Sequence, residues 1–283
     1  MRIEVNGTRL WFDVEGASLV PDGPAMRSRP TIVLVHGGPG SYDHSYFKPH
    51  ASALARSAQV VYLDLRGHGR SDPDDPSAWS FELCADDLAA FVDALGIERP
   101  VVLGHSMGGF VVALYGARHP RQPGGLVLAG TMARFDLDRL VEGFRRNGGD
   151  AVAALARREY SDDAVTDEEW TSVFAAFGPR VPDADTLARR TQRLEVASLG
   201  SDLMGRLDIV GQLGRIDRPT FVLVGERDGV TPVECSEEIM AALRPGIGRL
   251  EVLQGAGHFP WLDKPEAWLR LVGAFAREVR DGA

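Results

Sequence analysis

The sequence has few cysteines and no long apolar run. Cys84 and Cys235 are the 2 cysteines in 283 residues, too few for a disulfide framework. No apolar stretch approaches the ~20 residues that a membrane-spanning helix needs. The opening segment RIEVNGTRLWFDV alternates polar and apolar residues, whereas a secretory signal is continuously apolar at its centre. These absences predict a cytoplasmic protein with no membrane partner.

Positive charge is also scarce, and nearly all of it is arginine. The formal net charge is −9, and the only lysines are Lys48 and Lys264. The arginines are scattered along the chain, whereas a duplex-binding protein concentrates basic residues on one face. Nucleic acid is therefore not an expected partner. Nothing in the sequence indicates an oligomeric state.

Six short apolar runs rich in β-branched residues predict the strands of a buried sheet. Such continuous runs are typical of strands that are covered on both faces. They occupy residues 31–35, 60–63, 101–104, 126–130, 221–225 and 250–253. Segments with apolar residues at helical spacing alternate with them. The pattern predicts an α/β fold with a doubly wound, mostly parallel sheet.

The N-terminal part of the chain does not follow this alternation. At the N-terminus, Asn6-Gly7 separates two alternating segments and predicts a hairpin. The proline-containing residues 21–30 are expected to form a surface loop.

A long segment in the middle of the chain interrupts the alternation. Residues 132–214 contain amphipathic helical patterns and no convincing strand. Thr166 and Glu169 have the spacing of a capping box at the start of one such helix. The predicted organisation is a core formed by residues 1–131 and 215–283, with a helical insertion at 132–214.

The strongest chemical signal is the segment GHSMG at residues 104–108. It matches G-x-S-x-G, and it lies between an apolar strand pattern and a helical one, as that motif requires. A serine on a sharp strand-to-helix turn needs neighbours without side chains, and the following helix directs amides toward it. Ser106 is therefore the predicted nucleophile.

A serine nucleophile needs a base and a group that orients the base. His258 lies between the last predicted strand and the last helix, in LQGAGHFPWLDKPE. Asp228 follows the strand predicted at 221–225, with Glu226 as the alternative acid. Strand ends of this kind carry catalytic residues in α/β folds. We therefore predict that Asp228 orients the base His258.

The order Ser106, Asp228, His258 resembles that of the α/β-hydrolase fold family, and the resemblance covers essentially the whole chain. The segment LDLRGHGRSD at residues 63–72 is similar to a recurring loop of that family. The resemblance implies that this loop is structural, braced by Asp64 and Arg66. It also implies that the helical insertion is a cap that selects substrates.

The glycine-rich HGGPG at residues 36–40 follows the first predicted parallel strand. It lacks the lysine and the spacing of a phosphate-binding loop. In the fold that the chain resembles, its strand neighbours the strand that leads to Ser106. The backbone amides of Gly38 and Met107 are therefore the predicted oxyanion hole.

A serine nucleophile implies attack on an acyl carbonyl. The predicted function is hydrolysis of a small carboxylic ester, lactone or related acyl substrate through an acyl-enzyme on Ser106. Phe110 and Trp261 are candidate residues of an apolar substrate pocket. No metal or organic cofactor is expected, because the histidines and carboxylates lack a ligand spacing such as H-E-x-x-H.

Two alternatives stay open. The loop HGGPG resembles that of prolyl aminopeptidases, whereas GHSMGG is more usual among esterases, lactonases and C–C bond hydrolases. Prolyl aminopeptidases recognise a free amine with acidic residues of the cap. The carboxylates that the insertion offers for this are Glu142, Glu159, Glu168, Glu169 and Glu195. The other alternative is a non-catalytic ligand receptor on the same fold.

Overall fold

The computed structural model describes residues 1–73, 75, 79–161 and 165–282. Each of the six predicted sheet strands is present, and its ends differ from the prediction by two residues at most. The strands are β1 (Arg2–Val5), β2 (Thr8–Glu15), β3 (Leu19–Asp22), β4 (Ala25–Ser28), β5 (Thr31–Val35), β6 (Gln59–Leu63), β7 (Val101–His105), β8 (Gly125–Ala129), β9 (Thr220–Gly225) and β10 (Gly248–Leu253).

Eight of these strands form one sheet in the order β1-β2-β6-β5-β7-β8-β9-β10. β2 pairs antiparallel with both β1 and β6, and the other neighbours are parallel. This confirms the predicted doubly wound, mostly parallel sheet. The strand order reverses at β5, which lies between β6 and β7. Connections diverge at such a point and leave a crevice outside the carboxyl ends of the strands.

Helices connect the strands. In the described part of the chain, no helix has both the length and the apolar character needed to cross a membrane. The helices are α1 (Lys48–Ala51), α2 (Phe81–Ala94), α3 (Met107–Arg118), α4 (Leu137–Glu159), α5 (Asp167–Ala175), α6 (Ala184–Arg189), α7 (Leu194–Met204), α8 (Val210–Leu213), α9 (Val233–Ala242), α10 (Pro260–Asp263) and α11 (Pro265–Asp281), with short 3₁₀ turns at His44–Tyr46 and Ser52–Arg56.

The sheet separates two hydrophobic cores, and strand β5 contributes to both. Val33 and Val35 belong to the core that contains α2 and α3, whereas Ile32 and Leu34 belong to the core that contains α11. Successive side chains of a strand point to opposite faces, so a strand buried on both sides must be apolar throughout. This accounts for the continuous apolar runs in the sequence.

Between β8 and β9 the described residues form the helices α4 to α8, with one isolated bridge between Arg134 and Asp208. Helix α5 begins with the predicted capping box. Thr166 Oγ1 accepts a hydrogen bond from Glu169 N, and the Glu169 carboxylate accepts one from Thr166 N. Residues 162–164 of the predicted insertion lie outside the described residues. The boundaries at 132 and 214 stay a prediction.

The expectation of a loop at residues 21–30 was wrong. Strands β3 and β4 pair antiparallel there, with Asp22 opposite Ala25. Most of their side chains are exposed. An isolated hairpin with no buried face leaves little apolar alternation in the sequence, so the pattern could not show it.

Asp64 and Arg66 are buried and brace the loop that follows β6, as the family resemblance implied. Asp64 Oδ1 accepts hydrogen bonds from the backbone and the ring of His44, both at 2.8 Å, and Asp64 Oδ2 accepts one from Arg70 N at 2.9 Å. Arg66 donates two hydrogen bonds to Asp87 of α2, at 2.6 and 2.9 Å. The loop is therefore fixed to the sheet edge and to α2.

The buried pair of Arg66 and Asp87 generates a stability prediction. We expect Asp87→Asn to lower the free energy of unfolding by about 3 kcal/mol, because the guanidinium stays buried without that carboxylate. The neighbouring Asp86 pairs with Arg118 at the surface, so Asp86→Asn should cost less than about 1 kcal/mol. Urea unfolding of both variants measures the difference, and equal losses would contradict the assignment.

Candidate active site

Ser106 lies on a strained turn between β7 and α3. Its backbone has φ 54° and ψ −124°, a left-handed conformation that is unfavourable for a residue with a side chain. The glycines around it are needed because the turn is tight. A β-carbon on Gly104 would lie 2.2 Å from Gly108 O, and one on Gly108 would lie 2.4 Å from His36 O. The G-x-S-x-G pattern therefore forms the sharp turn that it predicted.

The main chain of Ser106 is held firmly. Ser106 N donates to Ala129 O at 3.0 Å, and Ser106 O accepts from Thr131 Oγ1 and from Gly109 N, both at 2.8 Å. Ser106 as a whole is partly exposed. Among the described residues, Ser106 Oγ has no hydrogen-bond partner, so the hydroxyl is available to a ligand.

Asp228 and His258 form a buried hydrogen-bonded pair. His258 Nδ1 lies 3.0 and 2.9 Å from the two carboxylate oxygens of Asp228, and both residues are 3% exposed. Val230 N and Thr231 N donate to Asp228 Oδ1, and Thr231 Oγ1 donates to Asp228 Oδ2 at 2.8 Å. The carboxylate is thus fixed, and its contact with Nδ1 orients the imidazole.

The alternative acid, Glu226, points elsewhere. It is exposed, and its carboxylate accepts a hydrogen bond from Gly255 N at 2.9 Å. Both carboxylates follow β9, but Asp228 is the one that reaches the imidazole of His258. The geometry therefore favours Asp228.

Three buried side chains hold the HGGPG loop. Tyr46 Oη accepts from Gly37 N at 2.7 Å, the ring of His36 lies 2.6 Å from Gly37 O, and His68 Nε2 accepts from Gly40 N at 3.0 Å. The loop therefore has a fixed backbone although it is rich in glycine.

The two residues that carry the predicted oxyanion donors are neighbours in the structure. A β-carbon on Gly38 would lie 3.4 Å from Met107 Cε, and Gly38 has φ 152°, which favours glycine. Met107 is the first residue of α3, where an amide has no partner within the helix. Within the described part of the chain, neither amide donates a hydrogen bond to another residue. The backbone thus offers two uncommitted donors, one on the residue after Ser106 and one in the loop that packs against Ser106, where a β-carbon on Gly37 would lie 3.1 Å from Ser106 Cβ.

The structure places Phe110 and Trp261 in the two hydrophobic cores. Each is 1% exposed. Phe110 packs edge-on against Phe81 of α2 with ring centroids 5.4 Å apart, and Trp261 lies 5.8 Å from Trp268. These contacts favour packing over the predicted role in substrate binding. The apolar character that suggested a pocket is equally typical of core residues.

Different aromatic rings lie beside His258. Phe177 of the insertion has its ring centroid 5.7 Å from that of His258. Phe259, the residue after the base, lies 6.5 Å from Phe174 and 6.2 Å from Tyr42. Burial raises the pKa of Tyr42 to about 12, so its hydroxyl stays protonated. Phe259 was predicted near the base because it follows His258 in the sequence, whereas Tyr42, Phe174 and Phe177 could not be, because they come from distant segments.

Asp43, His44 and Asp64 bring ligand-type atoms within 4.8 Å of one another. Their carboxylates already accept hydrogen bonds. Asp43 accepts from Ser45 N and Thr191 N, each at 2.8 Å, and Asp64 accepts from the backbone and ring of His44. These side chains hold the surrounding loops together, and we assign no metal to them.

The buried state of His68 generates a prediction about stability and pH. Burial lowers the pKa of His68 from 6.5 to about 3, so the folded protein keeps it neutral while the unfolded chain binds a proton. Stability from this group is therefore complete above pH 6.5 and falls as the pH drops toward 3, by about 1 kcal/mol per pH unit.

His68→Gln tests this because glutamine retains one donor and one acceptor but does not titrate. Urea unfolding between pH 7 and pH 5 should show a shallower decline for the variant than for the parent. Parallel declines would contradict a neutral His68 in the folded state.

Comparison with known proteins finds similarity over most of the chain. The model of the alpha/beta hydrolase fold family matches residues 30–265. The chain is 25% identical over 270 residues to a proline iminopeptidase of Heyndrickxia coagulans, covering 88% of this chain and 91% of that protein. It is 28% identical over 259 residues to a 2-hydroxy-6-oxononadienedioate/2-hydroxy-6-oxononatrienedioate hydrolase of Paraburkholderia xenovorans (strain LB400), covering 87% and 86%.

A solved structure is also similar over almost its whole length. A thermophilic esterase from Thermogutta terrifontis superimposes with a TM-score of 0.70 and 25% identity, covering 99% of both chains. The family match spans most of the sequence and includes every residue of the site described above. The chain therefore belongs to the α/β-hydrolase fold family.

Proposed function

We propose that this hydrolase-family protein is a serine hydrolase that cleaves a small carboxylic ester, lactone or related acyl compound through an acyl-enzyme on Ser106. One observation carries the proposal. The buried Asp228–His258 pair lies at the same end of the sheet as the strained turn that presents Ser106. A nucleophile, a base and an orienting acid are the three groups that acyl transfer requires.

In this mechanism Ser106 Oγ attacks the acyl carbonyl carbon while His258 Nε2 takes the hydroxyl proton. Asp228 accepts the Nδ1–H hydrogen bond and stabilises the imidazolium that forms. The hydrogen bond between Ser106 and His258 forms with substrate bound, as is common for catalytic contacts that are long in the free enzyme. His258 returns the proton to the leaving alcohol, and water then hydrolyses the acyl-enzyme by the same steps.

The tetrahedral intermediate places a negative charge on the former carbonyl oxygen. The amides of Gly38 and Met107 are suited to receive it because neither donates to another described residue, and because Met107 follows Ser106 while Gly38 lies in the loop that packs against Ser106. One such donor typically contributes about 3 kcal/mol to lowering the barrier. The N-terminal end of α3 adds a favourable dipole at the same place.

The helical insertion contacts the acid loop, the base loop and the oxyanion loop directly. Phe177 O accepts hydrogen bonds from Gly229 N at 3.3 Å and from His258 N at 3.1 Å, next to the acid and at the base. Arg193 N donates to Gly40 O at 2.8 Å in the oxyanion loop. These contacts support its role as a cap over the site. The rings of Phe174 and Phe177 then form an apolar wall for the acyl or alcohol group.

The charges of the insertion favour an ester over a substrate with a free amine. Glu142 pairs with Arg145, and Glu169 pairs with Arg158 and closes the capping box of α5. Glu168 and Glu195 are exposed. These carboxylates are directed to solvent or to arginines, whereas recognition of an ammonium group needs an acid beside the scissile bond.

Hydrolysis of prolyl peptides or amides is the second candidate. It is favoured by the HGGPG loop and by the 25% identity to the proline iminopeptidase over 88% of the chain. Among the described residues, no ion pair is found for Glu159, Glu168 or Glu195, and of these three only Glu159 is half-buried. An amine would therefore be recognised at Glu159.

A substrate comparison separates these two candidates. We expect p-nitrophenyl butyrate to be hydrolysed with a larger kcat/KM than proline p-nitroanilide, because Asp228 is the only carboxylate found in contact with the His258 imidazole among the described residues. Both reactions are measured by release of the chromophore. Cleavage of the prolyl anilide without cleavage of the ester would overturn the preferred function.

The assignment of the acid gives a second prediction with a matched control. Asp228→Asn should lower kcat for p-nitrophenyl butyrate by about 10³- to 10⁴-fold. The imidazole loses the carboxylate charge that stabilises its protonated form and the hydrogen bond that fixes its tautomer. Glu226→Gln alters a carboxylate two residues away and should leave kcat within about twofold, the range expected for a surface substitution.

Labelling by a fluorophosphonate provides the readout on the nucleophile. The parent protein should be labelled and Ser106→Ala should not. A correctly folded parent that is never labelled would favour the receptor alternative, in which the fold binds a ligand without catalysis.

A further inference from the structure

The geometry points to a positioning role for a buried bridge formed by Tyr46 and His105, which we call the Tyr46–His105 bridge. It fixes the oxyanion loop, the turn that carries Ser106 and the loop that carries His258 relative to one another. The inference rests on the proposed function, because positioning has a catalytic consequence only if Ser106 and His258 react. The role belongs to residues that the proposed mechanism does not otherwise use.

The bridge is a continuous series of three hydrogen bonds. Gly37 N donates to Tyr46 Oη at 2.7 Å, Tyr46 Oη lies 2.9 Å from His105 Nδ1, and His105 Nε2 lies 2.7 Å from His258 O. Tyr46 and His105 are each 1% exposed. All three contacts have the length of normal or short hydrogen bonds and are shielded from water.

One arrangement of protons satisfies all of these contacts. The Gly37 amide is a donor, so Tyr46 Oη accepts from it and its own hydrogen points to His105 Nδ1. That nitrogen must then be an acceptor, and Nε2 must carry the hydrogen that is donated to His258 O. An imidazolium would also donate from His105 Nδ1, so the hydroxyl hydrogen of Tyr46 would have to turn away and would have no acceptor among the described residues. The bridge therefore specifies a neutral His105 protonated at Nε2.

The surroundings favour this neutral state. Trp261 stands edge-on to the His105 ring at 4.7 Å, and Phe47 does so at 6.0 Å. The ring of His258 lies 4.6 Å away. Burial lowers the pKa of His105 and raises that of Tyr46. Neither group therefore gains a charge near neutral pH, and the hydrogen bonds keep one direction.

Each of the three loops that the bridge joins carries a reacting group at the bridged residue or next to it. Gly37 precedes the oxyanion donor Gly38, His105 precedes the nucleophile Ser106, and the third contact is to the backbone of His258 itself. Local sequence cannot set the distance between three loops that are up to 221 residues apart, from Gly37 to His258. A hydrogen-bonded bridge can do so, and catalysis is sensitive to displacements of about 1 Å, which can cost ~10²-fold in rate.

The test compares Tyr46→Phe, His105→Gln and the double variant with the parent. Tyr46→Phe removes one hydroxyl and keeps the ring, so the loop loses its link while the core remains filled. We expect kcat for p-nitrophenyl butyrate and the rate of fluorophosphonate labelling to fall by about tenfold, a fraction of what a full 1 Å displacement costs, with KM nearly unchanged.

The double variant should be little slower than the slower single variant, because both changes break the same bridge.

Tyr115→Phe is the matched control. Tyr115 is fully buried, and its hydroxyl has no hydrogen-bond partner among the described residues. Removing that hydroxyl should leave kcat unchanged. Rates are normalised to folded protein, which is measured by urea unfolding, so that a loss of stability is not counted as a loss of positioning.

A second measurement does not depend on catalysis. Nitrogen NMR of the parent at pH 7 should show His105 neutral, with its proton on Nε2. A proton on Nδ1 or an imidazolium would overturn the bridge. If the parent is neither labelled nor active, the proposed function is wrong, but the NMR measurement of the His105 protonation state still tests whether the bridge exists. If the parent is active and Tyr46→Phe matches Tyr115→Phe in kcat, the positioning role is wrong.

Discussion

The left-handed backbone of Ser106 is the constraint on which the rest of the site depends. A residue with a side chain accepts φ 54° only when its surroundings impose it. Here the imposing elements are β7, which ends at His105, and α3, which begins at Met107. The turn between them can close only because Gly104 and Gly108 lack side chains. The result is a hydroxyl that stands clear of the backbone at the N-terminal end of a helix.

The parallel sheet then explains why the other groups arrive at the same place. Strands β5, β7, β9 and β10 have parallel directions, so the loops that leave their carboxyl ends meet at one edge of the sheet. These loops carry Gly38, Ser106, Asp228 and His258. The polar contacts of the carboxylate of Asp228 and the tight packing of the HGGPG loop then fix what the topology has brought together.

The sequence allowed most of this frame to be predicted, because its signals are local. Continuous apolar runs indicated the six buried strands, and GHSMG indicated the turn from its own glycines. The pairing of Asp228 with His258 was predicted from strand ends, but these left Glu226 as an alternative that only the folded geometry decided against. The burial of Phe110 and Trp261 in the cores was not predictable. An apolar residue near a site in sequence has the same signal whether it faces a pocket or a core.

Tyr46 and His105 show the other limit of sequence reasoning. They are 59 residues apart, and each has an ordinary local context. His105 occupies a variable position of the motif, and Tyr46 lies in a short 3₁₀ turn. Their significance arises from three hydrogen bonds that exist only in the folded chain. The same holds for Phe177, whose carbonyl oxygen contacts the acid and base loops from within the helical insertion.

In the proposed function, substrate choice depends on that insertion. The relatives named above include an iminopeptidase, a hydrolase of dienedioates and an esterase, so membership of the family leaves the scissile bond open. The aromatic wall and the outward direction of the insertion carboxylates are the features of this chain that favour an ester. The central claim of the account is narrower and concerns the covalent step.

Acid quenching during turnover of p-nitrophenyl butyrate tests that step most directly. Mass spectrometry of the digested protein should find a butyryl group on the peptide that contains Ser106. Ester hydrolysis in which no butyryl group is found on Ser106, or in which it is found on another residue, would contradict the account.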